Sequence, residues 1–385
     1  MNEYEKRKQA IIRYQNGEKV TQIVKALGKS RRWFYNWLKR YQLDEGKGDW
    51  FEDHSRAPRT ISKKIAPSVE QQVIDARKKL ERKRIAQTGA IAIQYELHQQ
   101  GLEAPPVWTI NRILARNGLI RKKEPVYRSG KDYPELIFHT HQMDLVGPRW
   151  LKGAERFYSV NILDTCSHSC YFKLIRSKSS LHIAEVLSEF WQTHGLPDAL
   201  QMDNELAFRG SNRYPHSFGI VVRFALALGI APVFIPIKEP WRNGMIEKFN
   251  HTWDKRFFRA QQFDSFDHLQ RASKEFISFH NANHRYSSQA HQTPDQLKAQ
   301  LLAPILYDAS INLNQKIPLT EGSIYYIRFI RSDLKLHLPT ESFPVPSELK
   351  YSYVVAEVNI DVQALIIRRD NQVVLTMPYL TPVDW

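Results

Sequence analysis

The chain has 385 residues, with 55 Lys and Arg against 40 Asp and Glu, a formal net charge of +15. A 42% hydrophobic and 12% aromatic content provides for packed cores and excludes a disordered chain, while two cysteines exclude a disulfide framework and point to a reducing compartment. No apolar run approaches a membrane span, and the charged helical pattern at the start is unlike a secretion signal, so a multidomain cytoplasmic protein is expected. The excess charge is local. Residues 1–130 hold 28 Lys and Arg against 14 Asp and Glu, which leaves residues 131–385 almost neutral. A basic module on a neutral body suggests a polyanion-binding arm joined to a separate functional core.

Residues 4–41 read as three short helices. The first ends at Asn16-Gly17, the second follows Thr21 as cap and stops at Gly28, and the third is capped by Ser30. On the third, Trp33, Phe34, Trp37, Leu38 and Tyr41 form one apolar stripe, and Arg31, Arg32, Tyr35, Asn36, Lys39 and Arg40 lie opposite. This is the layout of a helix-turn-helix DNA reader, whose last helix enters the major groove. It also describes a trihelical core merely solvated by its basic side. The coincidence of the basic face with the recognition-helix position, Ser30 at its start, favours the reader.

A basic, turn-rich linker spans 43–64. Its Arg56 and Arg59 could track a phosphate backbone or groove, or the segment could be a plain spacer. A second helical set over 65–125 reads as another helix-turn-helix unit. Asn111, Arg112 and Arg116 lie off the apolar stripe of Ile110, Ile113 and Leu114, and the basic run Arg121-Lys122-Lys123 follows. Two readers in tandem would cover a long DNA site.

From about Asp132 strands alternate with helices. Strands are expected over 137–146, 157–163, 170–175, 198–202 and 231–237, and helices over 181–194, 218–228, 245–262 and 267–281: a mixed sheet flanked by helices. Asp144 interrupts the first strand, Asp203 closes the short fourth, and Glu247 stands in the first turn of a long helix. Taken singly, each has a structural reading as a turn residue or a helix-dipole partner. Taken together, they can converge, and converging carboxylates repel unless protonated or bound to cations. Hard oxygen ligands suit Mg²⁺ or Mn²⁺, and two such ions about 4 Å apart can activate an oxygen nucleophile and stabilise the leaving oxygen of a phosphodiester.

The segment over 132–300 resembles the catalytic core of the DDE transposases and retroviral-type integrases, a ribonuclease-H-like α/β fold. It looks closest to bacterial insertion-sequence transposases with N-terminal helix-turn-helix units. The matching pieces are Gln142-Met143-Asp144, Asp203-Asn204-Glu205 with Phe208 nearby, Pro240-Trp241-Arg242-Asn243-Gly244-Met245-Ile246-Glu247 leading into Phe249-Asn250, and Tyr286-Ser287-Ser288 followed by Thr293-Pro294. The resemblance implies that Asp144, Asp203 and Glu247 are catalytic residues holding two Mg²⁺ ions, with Mn²⁺ as a substitute. It further implies binding to terminal inverted repeats, nicking of DNA ends, joining of the 3′-hydroxyls to target DNA, and a homo-oligomer of at least two subunits on DNA in the bacterial nucleoid. An accessory ATPase is a partner class that it leaves open.

The chain also departs from the pattern. Asp203 and Glu247 are unusually far apart, with Asn212–Phe218 resembling an insertion, and Glu205 stands where Gly is common. His251 and Asp254 occupy positions that are often basic, with Lys248, Lys255 and Arg256 as nearby substitutes for DNA contact. A different reading is a DNA-binding regulator with an idle core, against which the intact acid trio argues; a simple nuclease is disfavoured by the two DNA readers. Cys166, His168 and Cys170 lack an evident fourth ligand for zinc, and His139 and His141 share a strand face without further signal. Short strands over 324–377 with an Asp370-Asn371 turn point to a small β-barrel over 315–385, after a catalytic core over 132–305.

Overall fold

A computed structural model describes residues 2–44, 48–53, 65–83, 85–120, 132–136, 138–153 and 155–382. These fall into two compact units, Met1–Ile65 and Ala66–Trp385. The linker residues Arg56 and Arg59 and the run Arg121-Lys122-Lys123 lie outside the described residues.

The first unit holds α1 (Glu3–Gln15), α2 (Val20–Leu27) and α3 (Arg31–Gln42). Asn2 and Glu5 form a capping box at α1, and the Ser30 hydroxyl accepts from the Trp33 amide at 3.1 Å. Lys19 rather than Thr21 precedes α2, so that helix starts two residues earlier than its threonine suggested. The predicted stripe on α3 is the core: Phe34, Trp37 and Leu38 are buried with Ala10, Ile11, Ile23 and Leu27. Arg7 is buried as well, its guanidinium 3.9 Å from the Trp37 ring centre and paired with Asp53. This cation belongs to the fold and not to a binding face.

The second unit begins with α4 (Pro67–Arg82), α5 (Ala90–Gln99) and α6 (Val107–Arg116), which bury Val73, Leu80, Ile93, Leu97, Ile110, Ile113 and Leu114. An α/β body follows. β1 (Thr140–Trp150), β2 (Arg156–Asp164) and β3 (Cys170–Ile175) form an antiparallel meander. After α7 (Ser180–His194), β4 (Ala199–Met202) joins β1 in parallel. α8 (Leu206–Arg209) and α9 (Ile220–Ala227) lead to β5 (Ala231–Phe234), parallel to β4. The loop between α8 and α9 closes where Gly210 and Gly219 meet: a Cβ on Gly210 would stand 2.5 Å from the Gly219 nitrogen.

β2 is buried on both faces because helices cover both. Tyr158, Val160 and Ile162 face α7 and α9, whereas Phe157 and Leu163 face α10 (Gly244–Thr252) and α11 (Phe266–Asn283). The helix expected over 245–262 is not continuous. α10 gives way to a π-helical segment, Trp253–Phe258, in which Trp253 and Phe257 are both fully buried and Phe258 stacks on Trp253 at 5.4 Å. The wider turn lets all three rings pack on one side, which a regular α-helix would spread apart. α12 (Pro294–Lys298) ends this region, capped by Thr293.

The separate C-terminal barrel does not form among the described residues. β6 (Ser323–Phe329), β9 (Tyr353–Asn359), β10 (Ala364–Arg369) and β11 (Gln372–Pro378) extend the body's sheet, whose order is β11-β10-β9-β6-β5-β4-β1-β2-β3. β7 (Lys335–His337) and β8 (Ser342–Pro344) form a small ribbon beside it. The physical reason lies at the edge of β5, which would otherwise expose unpaired backbone groups. β6 covers that edge through the parallel pairs Val233↔Tyr325 and Phe234↔Tyr326, and the Phe234 and Tyr326 rings stack at 4.9 Å. Ile324, Val354 and Leu365 thereby join the same apolar core as Leu187 and Phe224.

Phe34→Ala should cost about 3–5 kcal/mol, enough to unfold the first unit. Thermal unfolding followed by circular dichroism should lose an early helical transition, while the transition of the second unit stays in place.

Candidate active site

The parallel pairing of β1 with β4 brings the first two acids together. Gln142 stands opposite Gln201, and two residues further along each strand come Asp144 and Asp203. Glu247 arrives from α10, whose first turn is fastened to these strands by uncharged amides. The Gln142 Oε1 accepts from the Ile246 amide at 3.0 Å, and the Asn243 side chain donates to the Met143 carbonyl at 3.1 Å. Gln201 donates to the Asn243 Oδ1 at 3.1 Å and to the Arg242 carbonyl at 3.2 Å. One turn beyond Glu247, Asn250 donates to the Asp144 Oδ2 at 2.5 Å and accepts from Asn161 at 2.7 Å.

Asp144 is surrounded by neutral donors and negative neighbours. Burial, then the Asp203 carboxylate, and to a lesser degree that of Glu247, push its carboxyl up to about 6; the Leu145 amide and Asn250 oppose this. Burial also raises Asp203, against a 2.9 Å bond from the Glu205 amide. Among the described residues no Lys or Arg forms an ion pair with Asp144, Asp203 or Glu247. Glu205 pairs instead with Lys178. Asp144, Asp203 and Glu247 offer hard oxygen atoms, the donor type that suits a divalent ion such as Mg²⁺.

Beside Glu247, a groove of about 920 Å³ runs between α10 and the start of α5. Lys248, Lys255, Arg256 and Arg285 line it together with His168, His251 and His284, and no carboxylate does so among the described residues. Arg256 is tied to the Ala86 carbonyl, and the Gln87 side chain joins the Arg285 backbone through bonds of 2.7 and 3.1 Å. Lys248 is exposed.

On α3, Arg31, Arg32, Tyr35, Asn36 and Lys39 are all exposed, whereas Ser30 is committed to the cap. On α6, Asn111 and Arg112 are exposed, but the Arg116 guanidinium is held by Glu70. Its charge is therefore largely matched within the protein.

His139, His141 and Asp164 bring their donor atoms within 4.8 Å of one another, closer than the three acids come. His141 nevertheless accepts at Nδ1 from the Trp191 indole at 3.3 Å, which leaves the hydrogen on Nε2. A metal at Nε2 would need that hydrogen on the other nitrogen, where Trp191 already donates. The cluster is a partly buried hydrogen-bonded set: His139 meets Asp164 at 3.0 Å, and Asp164 is held low by that bond and by Ser167 against the effect of desolvation. Cys170 is buried with its backbone bonded to Asn281, and Cys166 is exposed.

Reading the sequence for acids passes over Gln142, Gln201, Asn161, Asn243 and Asn250. A signal was present: Gln142 and Asp144 share a strand face, and Asn243, Glu247 and Asn250 share a helix face at helical spacing.

Residues 1–48 match a homeodomain-like domain family, and residues 228–294, which include Glu247, match an integrase core domain family. Among solved structures, the chain is similar to the BIV integrase catalytic core, with 16% identity, a TM-score of 0.32, and 42% of this chain and 94% of that chain covered. It is similar to the HTLV-2 integrase catalytic core in complex with magnesium at 15% identity, TM-score 0.32, covering 42% and 95%. It is also similar to the simian T-cell lymphotropic virus intasome at 15% identity, TM-score 0.37, covering 80% and 99%. The matches to a homeodomain-like domain over residues 1–48 and to an integrase core over residues 228–294 bear out the resemblance to the DDE transposases and integrases.

Asp144 keeps its proton to a higher pH in the folded protein than in the unfolded chain. It therefore costs stability as pH rises from about 4 through about 6, with the full cost present above that. Asp144→Asn should stabilise the metal-free protein by about 1–2 kcal/mol near pH 8. Melting in EDTA should show that gain shrinking as pH falls towards 4; equal melting of the two proteins near pH 8 would contradict the uncompensated site.

Proposed function

We propose that this protein is a DDE-type transposase. In this reading it binds the terminal inverted repeats of its element, nicks the DNA ends, and joins the freed 3′-hydroxyls to target DNA. The observation that carries the reading is the placement of Asp144, within β1, and Asp203, just past β4, two residues beyond the last parallel pair of these neighbouring strands. Glu247 is fastened beside them by neutral amides, and a cationic groove adjoins it.

Asp144, Asp203 and Glu247 would hold two Mg²⁺ ions, or Mn²⁺ in their place. Bound there, the ions supply charge for activating the attacking oxygen and stabilising the leaving oxygen. The protein's own groups do the positioning. Gln142, Gln201, Asn243 and Asn250 hold the acid-bearing elements in register, and because these amides are uncharged they leave the carboxylates to a divalent ion. In the first step a water oxygen bonds to the scissile phosphorus and the 3′-oxygen departs, taking a proton to become a hydroxyl. In the second, that hydroxyl bonds to a target phosphorus, releases its proton to solvent, and displaces the target's 3′-oxygen, which takes up a proton to become a hydroxyl.

Lys248 and Lys255 offer phosphate contacts along the groove. Arg31, Arg32, Tyr35, Asn36 and Lys39 on α3, with Asn111 and Arg112 on α6, provide DNA-reading faces; Arg116 contributes less while Glu70 holds it. Arg56 and Arg59 would add contacts from the linker. Two ends require two active sites, so a homo-oligomer of at least two subunits assembles on DNA. Among the described residues no helix is long and apolar enough to cross a membrane, and the proposed work on chromosomal DNA belongs to the bacterial cytoplasm, at the nucleoid.

Duplexes carrying the inverted repeats that flank the coding sequence provide the test. Asp203→Asn should abolish Mg²⁺-dependent nicking and joining while leaving binding within about twofold of wild type. Unchanged joining would refute the site, and a wild-type protein that binds but never cuts would favour a regulator with an idle core. Replacing Arg31 and Arg32 by Ala should weaken binding and flatten the slope of log affinity against log salt by about 0.9 per lost phosphate contact.

A further inference from the structure

The acids need a rigid mount, and part of it comes from the far end of the chain. Arg328 on β6 is 4% exposed, and no carboxylate pairs with it among the described residues. Its guanidinium is spent on fixed acceptors: the Asn204 Oδ1 at 2.7 Å, the Ile235 carbonyl at 3.0 Å and the His337 carbonyl at 2.9 Å. Asn204 follows Asp203 directly, and its own amide donates to the same Ile235 carbonyl at 2.8 Å. A buried guanidinium is tolerated only where its donors are satisfied, and its planar fork sets the directions of the acceptors.

A second grip reaches the segment before α10. The Tyr353 hydroxyl on β9 donates to the Glu239 carboxylate at 2.7 Å and accepts from Arg242 at 3.1 Å. Arg242 also pairs with Glu239 and stacks 3.8 Å over the Tyr133 ring. Its carbonyl accepts from Gln201, and Asn243 next to it anchors α10 to β1. Tyr353 thus acts on the turn that delivers Glu247.

We propose that the C-terminal strands are a positioning device for the active site, in which Arg328 fixes the segment bearing Asp203 and Tyr353 fixes the turn leading to Glu247. Neither residue touches the reacting atoms; both are positioning residues. The consequence for metal binding rests on the reading of the acids as metal ligands, whereas the mechanical claim does not.

Hydrogen–deuterium exchange on the metal-free full chain reads the mechanical claim directly. Tyr353→Phe, which keeps the ring, should speed exchange about 10-fold or more at 239–247, and Arg328→Met should do the same at 203–208, with exchange in β2 and α7 unchanged. Arg328→Lys should fall between Arg328→Met and wild type. If Arg328→Met does not fold, the Tyr353→Phe result decides. Wild-type exchange at these segments in folded variants would overturn the proposal. Mn²⁺ binding followed by electron paramagnetic resonance provides the second arm, with an expected loss of about 10-fold in affinity. Faster exchange in variants of a protein whose wild type binds no Mn²⁺ would uphold the positioning and reject the metal reading.

Discussion

The constraint on which the second unit's site depends is the burial of Asp144 beside the carboxylates of Asp203 and Glu247. Asp144 shows its size, since burial together with Asp203 and Glu247 drives the carboxyl well above the ordinary aspartate range. A fold dominated by helix packing alone would relieve this by letting the acids drift to solvent or by recruiting cations. Here the donors to the acids are Asn250 and the backbone amides of Leu145 and Glu205, which orient oxygen atoms without cancelling their charge. The site therefore keeps an electrostatic demand that no Lys or Arg ion pair among the described residues meets.

That demand explains features that otherwise look unrelated. The polar stripe Ser159, Asn161 and Asn250 crosses a face that is apolar on either side, because it ends on Asp144. The π-helical turn after α10 keeps Trp253, Phe257 and Phe258 together in the core, which holds α10 against β1 and β2. The C-terminal strands cover the edge of β5 and at the same time send Arg328 and Tyr353 towards the segments that flank the acids. Cations are kept one layer out: Lys178 on Glu205, and Lys248 and Lys255 along the groove.

Much of the secondary structure could be read in advance. The apolar stripe of α3, the strands at 157–163 and 170–175, and the helix at 181–194 depend on periodicity and caps, which are local properties. The acids stood out in the sequence because Asp144 interrupts an apolar strand, Asp203 follows one and Glu247 stands in the first turn of a helix. The expected barrel failed for a non-local reason. Short strands with a hairpin turn look alike whether they close on themselves or extend an existing sheet, and the choice depends on an open edge at β5 almost a hundred residues away in sequence. Arg116 shows the same limit, since nothing in its own helix announces that Glu70 on α4 will hold it.

By itself, the sequence determined the kinds of element, the basic exposed face of α3, and the local settings of the three carboxylates, because hydrophobic period, capping and charge act within a few residues. Tertiary structure alone decided which acids become neighbours, which amides surround them, and which cations are consumed inside the fold. Those outcomes depend on strand register and on pairs far apart in the chain, such as Gln142 with Ile246 or Arg328 with Asn204. Electrostatic energy falls steeply with distance and rises with burial, so the character of this site was set only when folding brought those groups together and excluded water from them.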